Sequence, residues 1–240
     1  MRVMFVIGIT GNFGTGKTTV SQMLAELGAV PINADELGHE LLQPGTETHG
    51  EILAAFGKSI LKPNWEIDPD MVDKLFFPHT EPYHEGLAEF FRRKSILKPN
   101  WEIDRKKLGK LVFNDNKALA RLNRITHPRI YEIVRQKIEE YRQAGTGVVV
   151  LEAALFIEAG WQPLVDQLWV TTAPEATIVK RLKSSRGLSE EQVLTRLRAQ
   201  MPQEEKAKQA DVVVNTDCSM DELRARVTEL WHRLPAETDS

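Results

Sequence analysis

Cysteine is almost absent: Cys218 is the single one in 240 residues, so no disulfide can form within the chain. That usage favours a reducing compartment, and the cytoplasm is the expected location. Long apolar runs are also missing. No stretch reaches the roughly eighteen residues a membrane-crossing helix needs, so no membrane association is expected. Positive charge is not in excess either, with 31 Lys and Arg against 34 Asp and Glu and a formal net charge of −3. Bulk charge therefore does not suggest a nucleic-acid binder, and an anionic ligand needs cations gathered locally. The apolar run at 3–9 is short and ends in Gly11-Asn12-Phe13-Gly14 without a small-residue cleavage pattern. It reads as a buried strand rather than a secretory signal.

What is present is an alternation of strands and helices. Short β-branched runs at 3–9, Val30–Asn33, 148–151, 168–171 and 212–214 read as buried strands. Helical patterns occupy 17–27, 128–142, 175–183, 190–200 and 220–234, with the tail after Pro235 frayed. Pro128 and Pro174 stand where a first turn tolerates proline. Ser189-Glu190-Glu191-Gln192 is a capping-box pattern. This order predicts an α/β fold with a five-stranded parallel sheet covered on both faces. Residues 37–146 read as a mostly helical insertion, between core segments 1–36 and 147–240, and 69–93 is its least regular part.

Gly11-Asn12-Phe13-Gly14-Thr15-Gly16-Lys17-Thr18 fits the phosphate-loop pattern G-x-x-x-x-G-K-S/T, between an apolar strand and a helical run. Glycines turn backbone N–H groups toward phosphate oxygens, and the following helix points its positive end at the same place. The expected nucleotide-binding set is Gly11, Asn12, Phe13, Gly14, Thr15, Gly16, Lys17, Thr18 and Thr19. Lys17 reaches the β- and γ-phosphates, and Thr18 offers a hydroxyl to Mg²⁺. A guanine-reading N-K-x-D is absent, since Asn116-Lys117-Ala118-Leu119 lacks the aspartate. Asp35-Glu36-Leu37-Gly38 fits D-x-x-G, a pattern too short to carry weight. A small-molecule kinase is favoured over a GTPase.

Several residues carry two readings each. Asp35, after the second strand, is either a general base or the N-cap of the next helix. Glu152 ends the third strand and either helps hold Mg²⁺ or faces solvent. His39 lies four residues beyond Asp35, on the same helical face, as an acceptor contact or a structural histidine. Glu158 anchors a neighbouring helix or meets the acceptor. The basic stretch around 180–200, with Arg186 before Gly187 and with Arg196 and Arg198 beyond, is a mobile lid over the transferred phosphoryl or a solvated helical hairpin.

The chain resembles the dephospho-CoA kinase family. The stretches that carry the likeness are ITGNFGTGKT from Ile9, NADELGHEL from Asn33, AFG from Ala55, RKKLGKLVF from Arg105, LNRITHP from Leu122 and LEAALFIEAG from Leu151. GLSEEQ from Gly187, with Arg196 and Gln200, and ADVVV from Ala210 complete it. The resemblance implies a P-loop kinase core, a helical acceptor-side domain and a lid. It implies ATP and Mg²⁺, dephospho-CoA as the small-molecule substrate, Lys17, Asp35 and Arg186 in catalysis, and Thr18 and Glu152 at the metal. Asp35, His39, His127 and Glu158 become acceptor-side residues. A monomer or small homo-oligomer is expected. The chain departs from the family at Ser185-Arg186, where Arg-Asp is usual, at Glu152 in place of Asp, and at Asn215-Thr216-Asp217-Cys218, where Asp-Asn is common. Another P-loop kinase of nucleoside monophosphates or small alcohols, and a non-catalytic nucleotide-binding protein, are the alternatives.

The eleven residues KSILKPNWEID occur twice, from Lys58 and again from Lys94, an offset of 36 residues. Two units are too few for a solenoid. Removing 58–93 or 69–104 gives the same shorter chain, which reads through the family pattern without a break. One enzyme with a local duplication is therefore expected. Lengthening a connection fourfold costs only about 1.2 kcal/mol, two doublings. Trp65 with Ile60 and Trp101 with Ile96 should compete for one docking site, with copy two docked and copy one loosely held.

Overall fold

The computed structural model describes residues 4–62, 65–67, 97–99, 101–113 and 115–235. They fall into two compact units, one of 1–38 with 127–240 and one of 39–126. The expected irregular stretch 69–93, Ile96, the start of the first strand before Met4, and the tail after Pro235 lie outside the described residues.

The first unit is a five-stranded parallel sheet. Its strands are β1 (Phe5–Gly11), β2 (Val30–Asn33), β5 (Val148–Glu152), β6 (Gln167–Thr172) and β7 (Val212–Asn215), in the order β2-β5-β1-β6-β7. All five were legible as short apolar runs, because a parallel strand buried on both faces needs no polar alternation. Helix α1 (Lys17–Glu26) follows β1 and closes at Leu27 and Gly28, whose φ of 112° suits glycine. Ile7, Ile9, Val20, Met23, Leu24, Trp169 and Val227 form one buried cluster with the helix α9 (Met220–His232) residue Leu223. Gly8 permits a close approach: a Cβ there would lie 2.8 Å from the Phe156 ring.

The register places the site. Asn33 is level with Glu152, Glu152 with Ile9, and Gly11 with Thr171. The carboxyl ends of β2, β5, β1 and β6 thus form one edge. The chain moves to opposite sides of β1 after it, so β1 ends at the switch point where α/β sheets bind ligands.

In the second unit, α3 (Glu47–Phe56) is capped by the Thr46 hydroxyl, which accepts from the His49 N–H at 3.0 Å. Helix α4 (Arg105–Phe113) begins at Asp104, whose carboxylate accepts from the N–H groups of Lys106 and Lys107. Helix α5 (Asn116–Gln143) differs from expectation: it runs through Pro128 instead of starting there. Proline removes one N–H from the ladder, and the remaining turns carry the helix. The apolar residues Ile130, Val134 and Ile138 in its second half are buried. That half belongs to the first unit, so the compact unit starts and stops at 39 and 126 rather than at 37 and 146.

The duplicated segment does not dock as expected. Ile60 of copy one is 1% exposed and Ile103 of copy two is 2% exposed, and both sit in the cluster formed by Ile52, Leu108 and Val112. Trp101 is 42% exposed, so it is no docking anchor. The copies share the site because they pair with each other. Leu61 of copy one bridges Ile103 of copy two, the Lys62 N–H donates to the Glu102 carbonyl, and Asp104 donates back to Ile60. Further along, β3 (Trp65–Ile67) pairs antiparallel with β4 (Leu97–Pro99), with Ile67 level with Leu97. Leu with Ile and Ile with Leu are the same two repeat positions with the copies exchanged. Helices α3, α4 and the first part of α5 match the expected helical insertion, and the short antiparallel ladder is an element that the sequence reading did not expect.

Candidate active site

The loop after β1 is built by glycines that no other residue replaces without strain. Gly11, Gly14 and Gly16 have φ of 148°, 84° and 88°. A Cβ at Gly11 would come within 2.4 Å of the Thr171 hydroxyl and one at Gly14 within 2.8 Å of Ile178 and Leu182. The loop therefore presses against the end of β6 and against helix α6 (Glu175–Arg186). Thr15 secures it internally: its hydroxyl donates to the Asn12 carbonyl at 2.8 Å and lies 2.7 Å from the Thr171 hydroxyl. The Lys17 ammonium donates to the carbonyls of Gly11 and Asn12 at 3.1 and 3.3 Å. Burial pushes the Lys17 pKa down, opposed by the carboxylates of Asp35 and Glu152. Lys17 thus lies within electrostatic reach of two carboxylates, and of the cations Lys206 and Arg186, at the strand ends.

Thr18 and Glu152 are joined directly, with the Thr18 hydroxyl donating to Oε1 of Glu152 at 2.6 Å. Glu152 is only 5% exposed, and burial pushes its pKa up, with Thr18 and Lys17 pulling the other way. A buried carboxylate short of compensating charge beside a hydroxyl is a hard-oxygen donor pair of the kind Mg²⁺ takes. No group of three or more His, Cys, Asp or Glu suited to a metal occurs among the described residues. Mg²⁺ commonly takes one or two carboxylates and completes its shell with water and phosphate oxygens, so the donor set fits.

Asp35 is released from the capping role. The cap of helix α2 (Ala34–Glu40) is Asn33, whose Oδ1 accepts from the N–H groups of Asp35 and Glu36 at 3.0 and 3.3 Å. The exposed Asp35 carboxylate is left to act on its surroundings.

The family model for dephospho-CoA kinase (CoaE) matches this chain at residues 5–84 and 67–222. The chain belongs to that family. A dephospho-CoA kinase of Dehalococcoides mccartyi is 38% identical over 93% of this chain and 94% of its own length. One of Geobacter sulfurreducens is 38% identical over 95% and 98%. Among solved structures, TT1252 from Thermus thermophilus superposes with a TM-score of 0.70 at 26% identity, covering 98% of this chain and 100% of its own. The dephospho-CoA kinase from Campylobacter jejuni shares the fold, with a TM-score of 0.59 at 24% identity and 95% coverage of both. The two family matches overlap at 67–84, inside the stretch made longer by the duplication.

The remaining residues that the dephospho-CoA kinase resemblance implies fall in different places. Glu158 is paired: its carboxylate lies 3.0 Å from the ammonium of Lys206, which is 0% exposed and also donates to the Ala154 carbonyl at 2.9 Å. His127 packs edge-on to Trp161, and burial pushes its pKa down against the pull of Glu158. His39 shares α2 with Asp35. Thr19 lies in the first turn of α1. Arg186 ends α6, ahead of Gly187 with φ 63°, and its charge is among those lowering the Lys17 pKa. Ser185, at the family's usual arginine position, donates to the Arg181 carbonyl of its own helix at 2.7 Å. Helix α7 (Glu190–Arg198) begins with the expected capping box of Ser189 and Gln192.

Four residues escaped the sequence reading: Lys206, Thr216, Arg181 and Thr171. Lys206, from helix α8 (Gln203–Ala207), braces the loop after β5. Thr216 donates to the Thr15 carbonyl at 2.9 Å and is itself held by the guanidinium of Arg181. Thr171 supports the phosphate loop from β6. For Thr171 a signal existed, since a hydroxyl at the end of an apolar strand faces the ligand edge. Lys206 and Arg181 gave none, because their partners are distant in sequence.

Proposed function

We propose that this chain transfers the γ-phosphoryl group of ATP to the ribose 3′-hydroxyl of dephospho-CoA, yielding CoA and ADP, the last step of CoA formation. Family membership supports the substrate. The observation that carries the chemistry is the cluster of Lys17, Asp35, Glu152 and Thr18 at the carboxyl ends of β1, β2 and β5. In the transfer, the 3′-oxygen forms a bond to the γ-phosphorus as the bond to the β-phosphate oxygen breaks. Asp35 accepts the hydroxyl proton, and Lys17 and Arg186 oppose the negative charge on the moving group. Thr18 and Glu152 would hold Mg²⁺, which supplies charge neutralisation between the phosphates. His39 and His127 serve the acceptor side. Glu158, held by Lys206, orients that side rather than reacting. No helix among the described residues is long and apolar enough to cross a membrane, and a cytoplasmic enzyme fits that.

The test is ADP release with ATP and a panel of acceptors. Dephospho-CoA should stimulate release strongly, and nucleoside monophosphates and small alcohols should not. Stimulation by a nucleoside monophosphate alone would replace this reading with that of another P-loop kinase.

A further inference from the structure

Phe13 stands in the phosphate loop at a position where a nucleotide needs only a backbone N–H. Its side chain is nevertheless engaged. The Arg186 guanidinium carbon lies 5.1 Å from the ring centroid, and that of Arg196 lies 5.2 Å away. Both distances are within cation–π reach. The two arginines come from different lid helices, α6 and α7. The ring also packs against the lid's own apolar cluster of Ala173, Ile178, Leu182 and Val193. The loop is fastened to the same segment: the Phe13 backbone N–H donates to Oε1 of Gln200 at 2.8 Å, and the Asn12 side-chain Nδ2 donates to the Met201 carbonyl at 3.2 Å.

Two guanidinium groups drawn toward one point repel each other, and an attractive group within reach of both offsets part of that cost. Here the π-electrons of a single ring lie within reach of both. We propose that Phe13 is a positioning residue that gathers Arg186 and Arg196 beside the phosphate loop, ready to pass to the phosphate oxygens of a bound nucleoside triphosphate. The arrangement accounts for Ser185. Arg186 follows it in sequence and is brought over the loop by the ring instead of by its place on the helix. An aliphatic residue at position 13 would fill the lid cluster and leave the two cations uncollected.

The inference rests on the reading of the loop as a triphosphate site, and the experiment separates the two. Phe13→Leu keeps apolar bulk, and Phe13→Tyr keeps the ring. ATP affinity is measured by calorimetry without any acceptor, and tryptic cleavage after Arg186 and Arg196 is followed without nucleotide, with cleavage after Arg224 as the control for global unfolding. Phe13→Leu should weaken ATP binding by about tenfold and speed cleavage after the lid arginines relative to Arg224. Phe13→Tyr should restore most of both. In an Arg186→Ala, Arg196→Ala background, Phe13→Leu should have no further effect on ATP affinity. An equal loss in that background, or an unprotected lid in wild type, would make Phe13 a packing residue and overturn the proposal. Failure of the wild-type chain to bind ATP would overturn the triphosphate reading, while the cleavage arm would still decide whether the ring holds the arginines.

Discussion

In the parallel-sheet unit, a short stretch of sequence has one structure; in the unit of 39–126, one stretch of sequence has two. The phosphate loop takes its shape from backbone geometry that only glycine tolerates at Gly11 and Gly14 and from the Thr15 hydroxyl's bond to the nearby Asn12 carbonyl, and Thr171 and Thr216, distant in sequence, then brace that shape. KSILKPNWEID carries no comparable local instruction. Copy one uses its first half, Ile60 and Leu61, to reach the core, and copy two uses its second half, Ile103. Among the described residues, tertiary context decides which part of each copy joins the cluster. Local chemistry fixes a site, whereas a pairing register depends on which partner strand arrives.

The ladder also explains how a duplication fits here. The bond pattern that joins Leu61 and Lys62 to Glu102 and Ile103 is one that a single copy can make with itself. Lysine and glutamate would then flank a three-residue Pro-Asn-Trp turn. A three-residue hairpin loop commonly ends in a left-handed residue, and Trp101 has φ 51°, the only positive value at a non-glycine among the described residues. The extra 36 residues therefore enter at a hairpin tip, where insertions are best tolerated. The leftover halves, β3 and β4, continue the same register outward.

If the comparison holds, damage should be severe in the first unit and slight in the second. Lys17→Ala should lower turnover on the order of 10³-fold with thermal stability kept, since one fixed cation opposite the moving phosphoryl is lost. Near wild-type turnover would remove the loop from the mechanism. Asp35→Asn should lower turnover by about 10²-fold and leave ATP affinity nearly unchanged. Because Asn33 caps α2, a silent Asp35→Asn variant would mean that Asp35 has no part in the reaction.

A smaller effect is expected from pH. The Glu152 pKa is raised, so as pH falls this group takes up its proton above the ordinary carboxylate range. The protonated form is a poor cation ligand, so the Mg²⁺ concentration needed for half-maximal turnover should rise as pH falls, giving an acid limb at low Mg²⁺. Glu152→Gln should lower activity overall and remove that limb; an unchanged limb would assign it to another group.

Much of this contrast was readable in the letters, and the failures share a cause. The strands, the loop, and the Ser189 cap rest on residues near one another in sequence, and all were legible. Asn33 was read only as the end of β2, although a strand's last asparagine can also cap the next helix. Pro128 was read as a helix start because its local rule is strong, and the rest of α5 overrode it. Lys206 with Glu158, and Ile60 with Ile103, are pairings across long separations. Periodicity and motif spacing do not encode them.

The most direct test is dephospho-CoA-dependent ADP release by the full chain and by the chain lacking 58–93, measured side by side. Both should show it, with turnover within about twofold and the shorter chain at least as stable, because one copy closes on itself and restores the same buried cluster. Loss of acceptor-dependent release on deletion, or its absence from both chains, would contradict the account.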